Sequence, residues 1–384
     1  MLRYLDKILW TPTVYLFFFL KTFFRKKRSI DEISKIAPKK ILLIKLRWIW
    51  SIILMSPVVT NLKKMYPNAK IHFLTKKGLH KIYGEETFDK TYHLNTGWLI
   101  NAIKDFIMVP YNLKKEHYDL ILDFEVVSYY TAALTFLLSP KYSIWYQIIW
   151  KIKDKLYDYN AIYHESKHIM EIFSLPLRIL GSKEVDMSLL PPMIAQTSED
   201  SVLSRISDLK EYIAININAS DLAYERRWPA KYYKEVIERL QSHWHKILLT
   251  GQKEDMPYVD SLYQQIENKD NVLNTAGRFS LSDFFFLVKN VKLFITNDSG
   301  PLHMAIAYQT PTISFFGPET PVIYWPNYKK ELHKVFFLNL FCSPCISVFR
   351  DKNFVCKNEN RCMFEIYPEK VISTLEHFFK EGKF

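Results

Sequence analysis

Small polar residues follow a predicted buried strand at residues 291–296, in the run Asn297-Asp-Ser-Gly-Pro-x-His303. Asn, Asp and Ser are favoured helix caps, and Pro301 suits a first helical turn. A helix that begins here directs backbone N–H groups and its positive dipole end at an anion, so this turn is a candidate phosphate site. Gly300 leaves room for a ligand beside the backbone, and His303 can point at the same spot. The alternative is an ordinary capped turn without a ligand.

Polar residues also follow the other predicted strands of this half of the chain. Ser220 follows the first of these strands, and Arg226 or Arg227 in the next loop is a candidate for bidentate contact with a diphosphate. Glu254 or Asp255 follows the next strand end and can accept hydrogen bonds from ribose hydroxyls.

Two further turns complete this set. Gly277-Arg-Phe-Ser280 precedes a predicted helix, and we expect it to lie against a nucleotide base. The strand at residues 312–316 ends in Gly317-Pro318, a tight turn at the same edge of the sheet. Since the carboxyl ends of parallel strands open on one edge, the turns together predict a nucleotide-sugar site.

The elements that must hold these turns alternate between strand and helix. Continuous apolar runs at residues 40–46, 69–75 and 118–124 predict parallel strands with helices between them. The pattern fails around residues 189–200, which contain two adjacent prolines and a polar cluster, and it restarts at residue 212. We therefore predict an α/β fold of two Rossmann-like, doubly wound domains that face a central cleft.

The chain has 384 residues, 48% of them hydrophobic, which is enough for two domains with full cores. We predict these segments: a membrane-associating segment at 1–35, an N-terminal acceptor-side domain at 36–195, a C-terminal nucleotide-sugar domain at 196–365, and a C-terminal helix or tail at 366–384.

The N-terminal segment is basic and aromatic. Residues 1–28 carry +6 of the net charge of +12, around an apolar run at 8–20 that is too short to span a bilayer and contains Pro12. No signal-peptide cleavage site follows it. We predict a peripheral segment on an anionic membrane at the cytoplasmic face, with an N-terminal helix packed on the protein as the alternative. Residues 142–157 are a second candidate membrane- or acceptor-facing patch, or else a helix packed between the domains.

The concentration of basic charge at an apolar terminus, without a nucleic-acid motif, argues against a nucleic-acid partner. Four cysteines fall within one short stretch: Cys342, Cys345, Cys356 and Cys362. They form a candidate structural zinc site, with reduced thiols or two disulfides as the alternatives.

At these turns the chain resembles glycosyltransferase family 9, the lipopolysaccharide heptosyltransferases. The resemblance runs from about residue 40 to about residue 372. Four motifs carry most of it: Arg227-Trp-Pro229, Gly277-x-x-Ser-Leu281, Asn297-Asp-Ser-Gly-Pro-x-His303 and Phe316-Gly-Pro318. Further matches are residues 40–46, Pro57, Asn61-Leu-Lys-Lys-x-Tyr-Pro67, and the cysteines ahead of Tyr367-Pro368.

The resemblance implies the GT-B architecture, with an ADP-heptose donor on the C-terminal domain and a lipid acceptor on the N-terminal one. It also implies inverting transfer without a metal. Carried over to this sequence, Asp298, Ser299, Gly300 and His303 would face the donor diphosphate and sugar. Arg227 would bind phosphate, and Arg278 and Phe279 would lie along the adenine.

One loop departs from the family pattern. The family has glycine and then a catalytic aspartate after the first strand, where this chain has Trp50 and Ser51. Serine alone is no base at neutral pH. We predict that Asp123 or Glu125, at the end of a neighbouring strand, supplies the base and that Ser51 at most orients the acceptor. The alternative is a homologue that binds a nucleotide sugar or glycolipid without transfer.

Overall fold

The computed structural model describes residues 2–24, 30–95, 99–126, 128–147, 152–194, 206, 208–220, 223–243, 245–325, 327–347 and 355–382. The chain divides into two compact units, Met1–Leu190 and Pro191–Phe384, each built around one parallel sheet.

The first unit holds a six-stranded sheet in the order β3-β2-β1-β4-β5-β6, with every neighbouring pair parallel. Its strands are β1 (Lys40–Ile44), β2 (Lys70–Lys76), β3 (Lys90–Leu94), β4 (Leu120–Asp123), β5 (Tyr142–Gln147) and β6 (Tyr159–Ile162). β1 and β4 are apolar at almost every position because both faces of these central strands are covered. The predicted pairing of these two runs is confirmed, with Ile44 opposite Asp123.

The helices of the first unit are α1 (Leu2–Phe24), α2 (Ile30–Ile33), α3 (Ile49–Leu54), α4 (Ser56–Met65), α5 (Leu99–Lys114), α6 (Tyr129–Leu138) and α7 (Ile169–Ile179). α1 packs on α6: Val14 is fully buried, and Phe17 stacks on Phe136 at 4.6 Å between ring centroids. The carboxylate of Asp6 accepts hydrogen bonds from the first backbone N–H groups of α6. The N-terminal helix is therefore packed on the protein. This packing was the sequence-based alternative to a membrane-associating segment. No helix within the described ranges is long and apolar enough to cross a bilayer.

The prediction for residues 142–157 was wrong. This stretch contains strand β5 and a 3-10 turn at Ile152–Leu156, and Trp145, Tyr146 and Tyr157 are buried in the core, while residues 148–151 lie outside the described residues. Trp145 is fully buried and its Nε1 donates to the carbonyl of Glu125 at 2.9 Å. The aromatic residues of an inner strand look like an exposed apolar patch when only their composition is read.

The second unit repeats this architecture in the order β12-β11-β10-β7-β8-β9, again all parallel. Its strands are β7 (Tyr212–Asn216), β8 (Lys246–Thr250), β9 (Val272–Asn274), β10 (Leu293–Asn297), β11 (Thr312–Phe316) and β12 (His333–Phe337). Its helices are α8 (Ala230–Gln241), α9 (Met256–Gln265), α10 (Leu281–Asn290), α11 (Gly300–Ala307), α12 (Pro321–Tyr324), α13 (Arg361–Phe364) and α14 (Pro368–Lys380).

Trp228 lies at the centre of this second core. It is fully buried, stacks on Phe315 with 4.1 Å between ring centroids, and donates its Nε1 hydrogen to the carbonyl of Ile366 at 2.8 Å. The loop after β7 and the chain segment before α14 are thereby fixed to the same sheet. α14 covers α8 with its apolar face, where Val371 and Leu375 are buried.

Candidate functional site

The carboxyl ends of β7 and β10 are tied together by one amide. Asn297 is fully buried, and its Nδ2 donates to the carbonyls of Ile217 and Asn218 at 3.0 and 3.1 Å. Its Oδ1 accepts from the backbone N–H of Trp228 and from the hydroxyl of Tyr233. With both amide atoms satisfied, Asn297 is a structural residue that brings the loops after the two strands together.

Beside the hydrogen bonds of Asn297 lies a second polar cluster, formed by Asp298, Ser220 and Arg226. Arg226 donates from Nη2 to Ser220 Oγ at 2.7 Å and from Nη1 to the carbonyl of Asp298 at 3.0 Å. Its Nη1 also lies 3.6 Å from the Asp298 carboxylate, which is almost entirely buried. The arginine that reaches the predicted anion turn is therefore Arg226, whereas the sequence resemblance pointed to Arg227.

Arg227 instead lies between two aromatic rings. Its guanidinium carbon is 4.3 Å from the ring centroid of Tyr224 and 4.1 Å from that of Tyr258. Burial raises the pKa of Tyr258, and the neighbouring guanidinium opposes this shift. Stacking holds the plane of Arg227, and its Nε is buried without a hydrogen-bond partner in the part of the chain that the structure describes.

Asn218 belongs to the run Asn218-Ala-Ser220 after β7, in which the sequence interpretation assigned a site role only to Ser220. Its side chain is only 4% exposed, and neither its Oδ1 nor its Nδ2 has a hydrogen-bond partner among the described residues. Buried amides are normally satisfied, because an unpaired one costs about 1–3 kcal/mol. The available signal was its position, two residues beyond the central strand of this sheet.

The helix that follows the turn starts as predicted. Ser299 is the N-cap of α11, its side chain makes no capping bond to the first turn, and its Oγ lies 3.2 Å from that of Thr296. Gly300 is the first helical residue and is partly exposed, whereas His303 is buried. The ring of His303 lies against Tyr324, with 6.4 Å between the ring centroids.

The turns after β8 and β9 adjoin each other. The backbone N–H of Gly277 donates to the carbonyl of Gly251 at 2.9 Å. A Cβ at Gly251 would lie 3.2 Å from Asn218 Nδ2, which puts this turn against the unsatisfied amide. Asp255 accepts from the backbone N–H of Gln252 in a capping box, so its carboxylate has a structural role.

The other predicted donor contacts differ in exposure. Glu254 and Arg278 are exposed, and Phe279 is partly buried. Gly317 is buried, and a Cβ there would lie 2.5 Å from Met363 Sδ and 2.9 Å from Cys362 Sγ. The absence of a side chain at Gly317 is therefore required by its packing against α13. For all four residues a contact with the donor stays a prediction.

The four cysteines line one small cavity with Pro318, Ser343, Asn358, Asn360 and Arg361. Their side chains are thiols that form no disulfide within the described part of the chain. Burial together with the neighbouring thiols raises the pKa of Cys362 to about 12. Within the described ranges, no three His, Cys, Asp or Glu side chains are placed so that they could hold a metal ion.

In the first unit, the loop after β1 is closed by hydrogen bonds. Ser51 is buried in α3, and its Oγ donates to the carbonyls of Arg47 and Trp48 at 2.9 and 2.8 Å. Trp48 precedes the helix with φ = 62°, a left-handed conformation that is unusual for a bulky residue. The rings of Trp48 and Trp50 stack 5.8 Å apart, so large side chains fill this loop.

Two buried carboxylates stand at the end of β4. Asp123 accepts from the Tyr157 hydroxyl at 2.5 Å and from the backbone N–H of Glu125 at 2.8 Å. Burial raises the pKa of Asp123 to about 6, although the Tyr157 bond and the charge of Lys153 lower it. Both of its oxygens are thus engaged within the first unit.

Glu125 is the more available of the two carboxylates. Its Oε1 accepts from Lys45 Nζ at 3.1 Å and from the backbone N–H groups of Leu46 and Arg47. Its Oε2 has no hydrogen-bond partner among the residues described, although the side chain is fully buried. The same carboxylate therefore fixes the loop after β1 and keeps one oxygen unpaired within the described part of the chain.

A family model described as glycosyltransferase family 9 (heptosyltransferase) matches residues 111–352. Lipooligosaccharide heptosyltransferase 2 of Campylobacter jejuni is 31% identical over 177 residues, which cover 45% of this chain and 52% of that protein. The chain thus spans about half the length of this relative. Lipopolysaccharide heptosyltransferase 3 of Escherichia coli K12 is 25% identical over 299 residues, 75% of this chain and 85% of that protein.

The fold is also that of a solved heptosyltransferase structure. The structure of E. coli ADP-heptose lipopolysaccharide heptosyltransferase II superposes with a TM-score of 0.68 and 18% identity, covering 90% of this chain and all of that one. The two parallel sheets found here are those of the GT-B fold. Because the family model matches more than half of the chain, this protein belongs to glycosyltransferase family 9.

Proposed function

We propose that the protein is an inverting glycosyltransferase that transfers heptose from ADP-heptose to a lipopolysaccharide-type or other surface-glycan acceptor. Family membership and the names of the relatives support heptose transfer. The observation that carries the proposal is the unsatisfied amide of Asn218, buried beside Ser220, Arg226 and Asp298.

The chemistry of this cluster suits a nucleotide sugar. Besides the Asn218 amide, the Nε groups of Arg226 and Arg227 are buried and without partners in the described part of the chain. Guanidinium groups suit a diphosphate, and an amide can bind a hydroxyl as donor or acceptor. The E. coli protein of similar fold is an ADP-heptose heptosyltransferase by name, which supports the same donor here.

The base that activates the acceptor is proposed to be Asp123 or Glu125. The unpaired Oε2 of Glu125 favours Glu125, since both oxygens of Asp123 already accept hydrogen bonds. Ser51 at most orients the acceptor, because its hydroxyl donates to carbonyls of its own helix turn.

A second candidate function is binding of a nucleotide sugar or glycolipid without transfer. The observation that favours it is the closed loop after β1, where Trp50 and the bonded Ser51 replace the glycine and aspartate of the family pattern. In that case the donor cluster is retained and the transfer step is lost.

We further propose a cytoplasmic, peripheral location at the inner face of the membrane, where a lipid-linked acceptor is accessible. The +6 charge of residues 1–28 supports attraction to anionic lipid. No metal is proposed for transfer itself. A structural zinc at the four cysteines stays a prediction, which metal analysis of the purified protein tests.

A donor panel followed by a transfer assay tests the proposal. ADP-heptose, and neither UDP-, GDP- nor CMP-sugars, is expected to raise the melting temperature, because a ligand that binds only the folded state stabilises it. Incubation with ADP-heptose and heptose-deficient lipopolysaccharide should add one heptose, detected by mass spectrometry, with the anomeric configuration inverted in NMR. Donor binding without transfer would instead establish the second candidate function, and no response to any donor would refute both transfer and nucleotide-sugar binding.

A further inference from the structure

We infer that α1 and α5 together form a two-helix surface on the first unit that docks on an anionic lipid bilayer. The sequence indicated the N-terminal segment and residues 142–157 for this role, and the contribution of α5 emerges from the packing. The inference deepens the proposed peripheral location and rests on it.

α6 explains why the two helices share a surface. α5 connects β3 to β4 and α6 connects β4 to β5, and both steps run in the same direction across the sheet. Right-handed crossovers therefore place both helices on one face. α1 lies on α6 from the outside, and the rings of Trp10 and Phe106 both pack against Tyr130, at 5.2 and 4.7 Å between centroids.

α6 is therefore largely covered, and α1 and α5 form the outer surface on this side of the sheet. Leu137 of α6 is exposed, and the other residues of this helix are buried or partly buried. At the end of α6, Lys114 of α5 donates to the carbonyls of Leu137 and Leu138. The outer faces of α1 and α5 thus flank α6 on the same side of the sheet.

Both outer faces carry exposed apolar side chains at helical spacing. On α1 they are Tyr15, Leu16 and Phe19, exposed by 57%, 56% and 61%. On α5 they are Ile107, Met108 and Tyr111, exposed by 64%, 42% and 55%. Exposed apolar clusters of this kind mark interaction surfaces, because isolated exposed residues would not repeat along two helices that flank α6.

The charges nearby indicate lipid rather than protein as the occupant. The exposed Lys104 and Lys115 border the α5 cluster, and the ammonium of Lys115 lies 4.0 Å from the ring centroid of Tyr111. In the sequence α1 leads directly into Arg25-Lys-Lys-Arg28. Aromatic and aliphatic side chains bordered by lysine and arginine are typical of segments that lie in the headgroup region of anionic membranes.

Co-sedimentation of the full chain with vesicles tests the surface. The vesicles contain equal parts of phosphatidylglycerol and phosphatidylcholine, or phosphatidylcholine alone. The α5 variant I107S/M108S/Y111S should bind the anionic vesicles at least about tenfold more weakly, since fully burying a single large apolar side chain contributes about 1.5–3 kcal/mol. The α1 variant Y15S/L16S/F19S should bind the anionic vesicles more weakly by a similar factor. Addition of 0.5 M NaCl should weaken vesicle binding by the wild type, because salt screens the charges.

The matched control changes three exposed apolar residues of the second unit, in the variant L273S/F341S/Y367S, and should bind vesicles as the wild type does. Thermal melts and donor binding should stay unchanged in all variants, because every altered side chain is exposed and outside the donor cluster. K104Q/K115Q gives a second test that leaves the apolar surface intact, and it should weaken binding to the anionic vesicles.

Three outcomes would overturn the inference. If I107S/M108S/Y111S binds like the wild type, α5 is not part of a docking surface, whatever α1 does. If the variant instead changes the oligomeric state without affecting vesicle binding, the surface contacts a second protein chain. If the wild type does not bind anionic vesicles, the peripheral location fails as well, while the donor and transfer assays still judge the transferase proposal separately.

Discussion

Arg226 and Arg227 are adjacent in sequence but have different surroundings. Arg226 bonds to Ser220 and Asp298, whereas Arg227 lies between Tyr224 and Tyr258. Arg226 ends a short 3-10 turn and Arg227 follows it, and their side chains lie in different surroundings, so a motif match cannot decide which of them reaches the predicted anion turn. Both keep a buried Nε without a partner among the described residues, which gives both of them capacity for a ligand.

The unsatisfied amide of Asn218 provides the sharpest test of the donor cluster. Asn218→Ala removes no side-chain hydrogen bond within the described part of the chain, so we expect little change in stability. Donor affinity should fall roughly 5- to 150-fold, the equivalent of about 1–3 kcal/mol, as measured by calorimetry. The matched control is Asn297→Ala, which breaks four hydrogen bonds and should lower stability by roughly 2–4 kcal/mol. An Asn218 variant that is destabilised but binds the donor normally would remove Asn218 from the site.

The base assignment is tested by four variants in a donor-consumption assay. Glu125→Gln should lower the rate by roughly 10²–10⁴ if its unpaired oxygen is the base. Asp123→Asn should have the smaller effect, because both oxygens of Asp123 are engaged by Tyr157 and Glu125. Ser51→Ala should change the rate little. If neither carboxamide variant slows transfer, or if only Ser51→Asp produces any transfer, the protein is better described as a donor-binding homologue.

The pKa of Asp123 predicts a pH dependence of stability. Burial raises this pKa to about 6 in the folded state, above the value of ~3.9 in the unfolded chain. The folded protein then holds a proton that the unfolded chain has released, so stability falls as the pH rises from about 4 to about 6. The difference in free energy of unfolding between wild type and Asp123→Asn should change over that interval and be constant above it. A difference that is independent of pH would contradict the raised pKa.

At the scale of elements, the distance between two packed segments limits the size of the side chains that fit between them. Gly317 follows β11 and lies against α13, where a Cβ would meet Met363 and Cys362. The sequence interpretation assigned Gly317 to the donor site because Gly317-Pro318 forms a tight turn at the same edge of the sheet as the other site turns. Packing against the cysteine segment accounts for this glycine without a ligand.

Gly317→Ala should therefore destabilise the second unit by roughly 1–3 kcal/mol, since buried methyl groups in a packed core force neighbours to move. The measurement is the denaturant midpoint. In a Met363→Ala background the additional cost of Gly317→Ala should be smaller, because the atom at 2.5 Å has been removed. Equal costs in the two backgrounds would show that Met363 does not limit this position.

The N-terminal helix has one face packed on the core of the first unit and one face exposed. α1 buries Val14, and Lys21 donates to the carbonyl of Tyr157 at 2.7 Å, while Tyr15 and Leu16 remain exposed. Deleting residues 1–28 would therefore expose part of the core of the first unit. Substitutions confined to the outer face separate membrane docking from folding.

At the scale of the whole molecule, the two units have separate sheets, and the proposed donor contacts lie within Pro191–Phe384. We expect calorimetry to resolve two unfolding transitions and ADP-heptose to raise only one of them, because a ligand stabilises the unit that it binds. Limited proteolysis with and without donor should assign the shifted transition to the second unit. A donor that raises the transition of the first unit alone would contradict the assignment of the donor site.

Much of this architecture follows from local sequence patterns. The apolar runs at residues 40–46 and 118–124 were predicted to be neighbouring strands of a parallel sheet, and the structure pairs them, with Ile44 opposite Asp123. Strands buried on both faces must be apolar throughout, which makes them recognisable without a structure. The turn at Asn297–Gly300 was recognisable for a similar reason, because helix caps use few residue types.

Other features depend on contacts between residues far apart in the chain, which no local pattern contains. β5 was misread because burial on a sheet, and not composition, decides whether Trp145 is core or surface. The unsatisfied state of Asn218, the choice of Arg226 over Arg227 and the exposed face of α5 are likewise set by which groups the fold brings near them. The sequence determined the family, the two parallel sheets and the position of the strand-to-helix turn at Asn297–Gly300. Only the tertiary structure decided which side chains there are already hydrogen-bonded and which remain available to a ligand, because hydrogen bonding depends on distances across the fold.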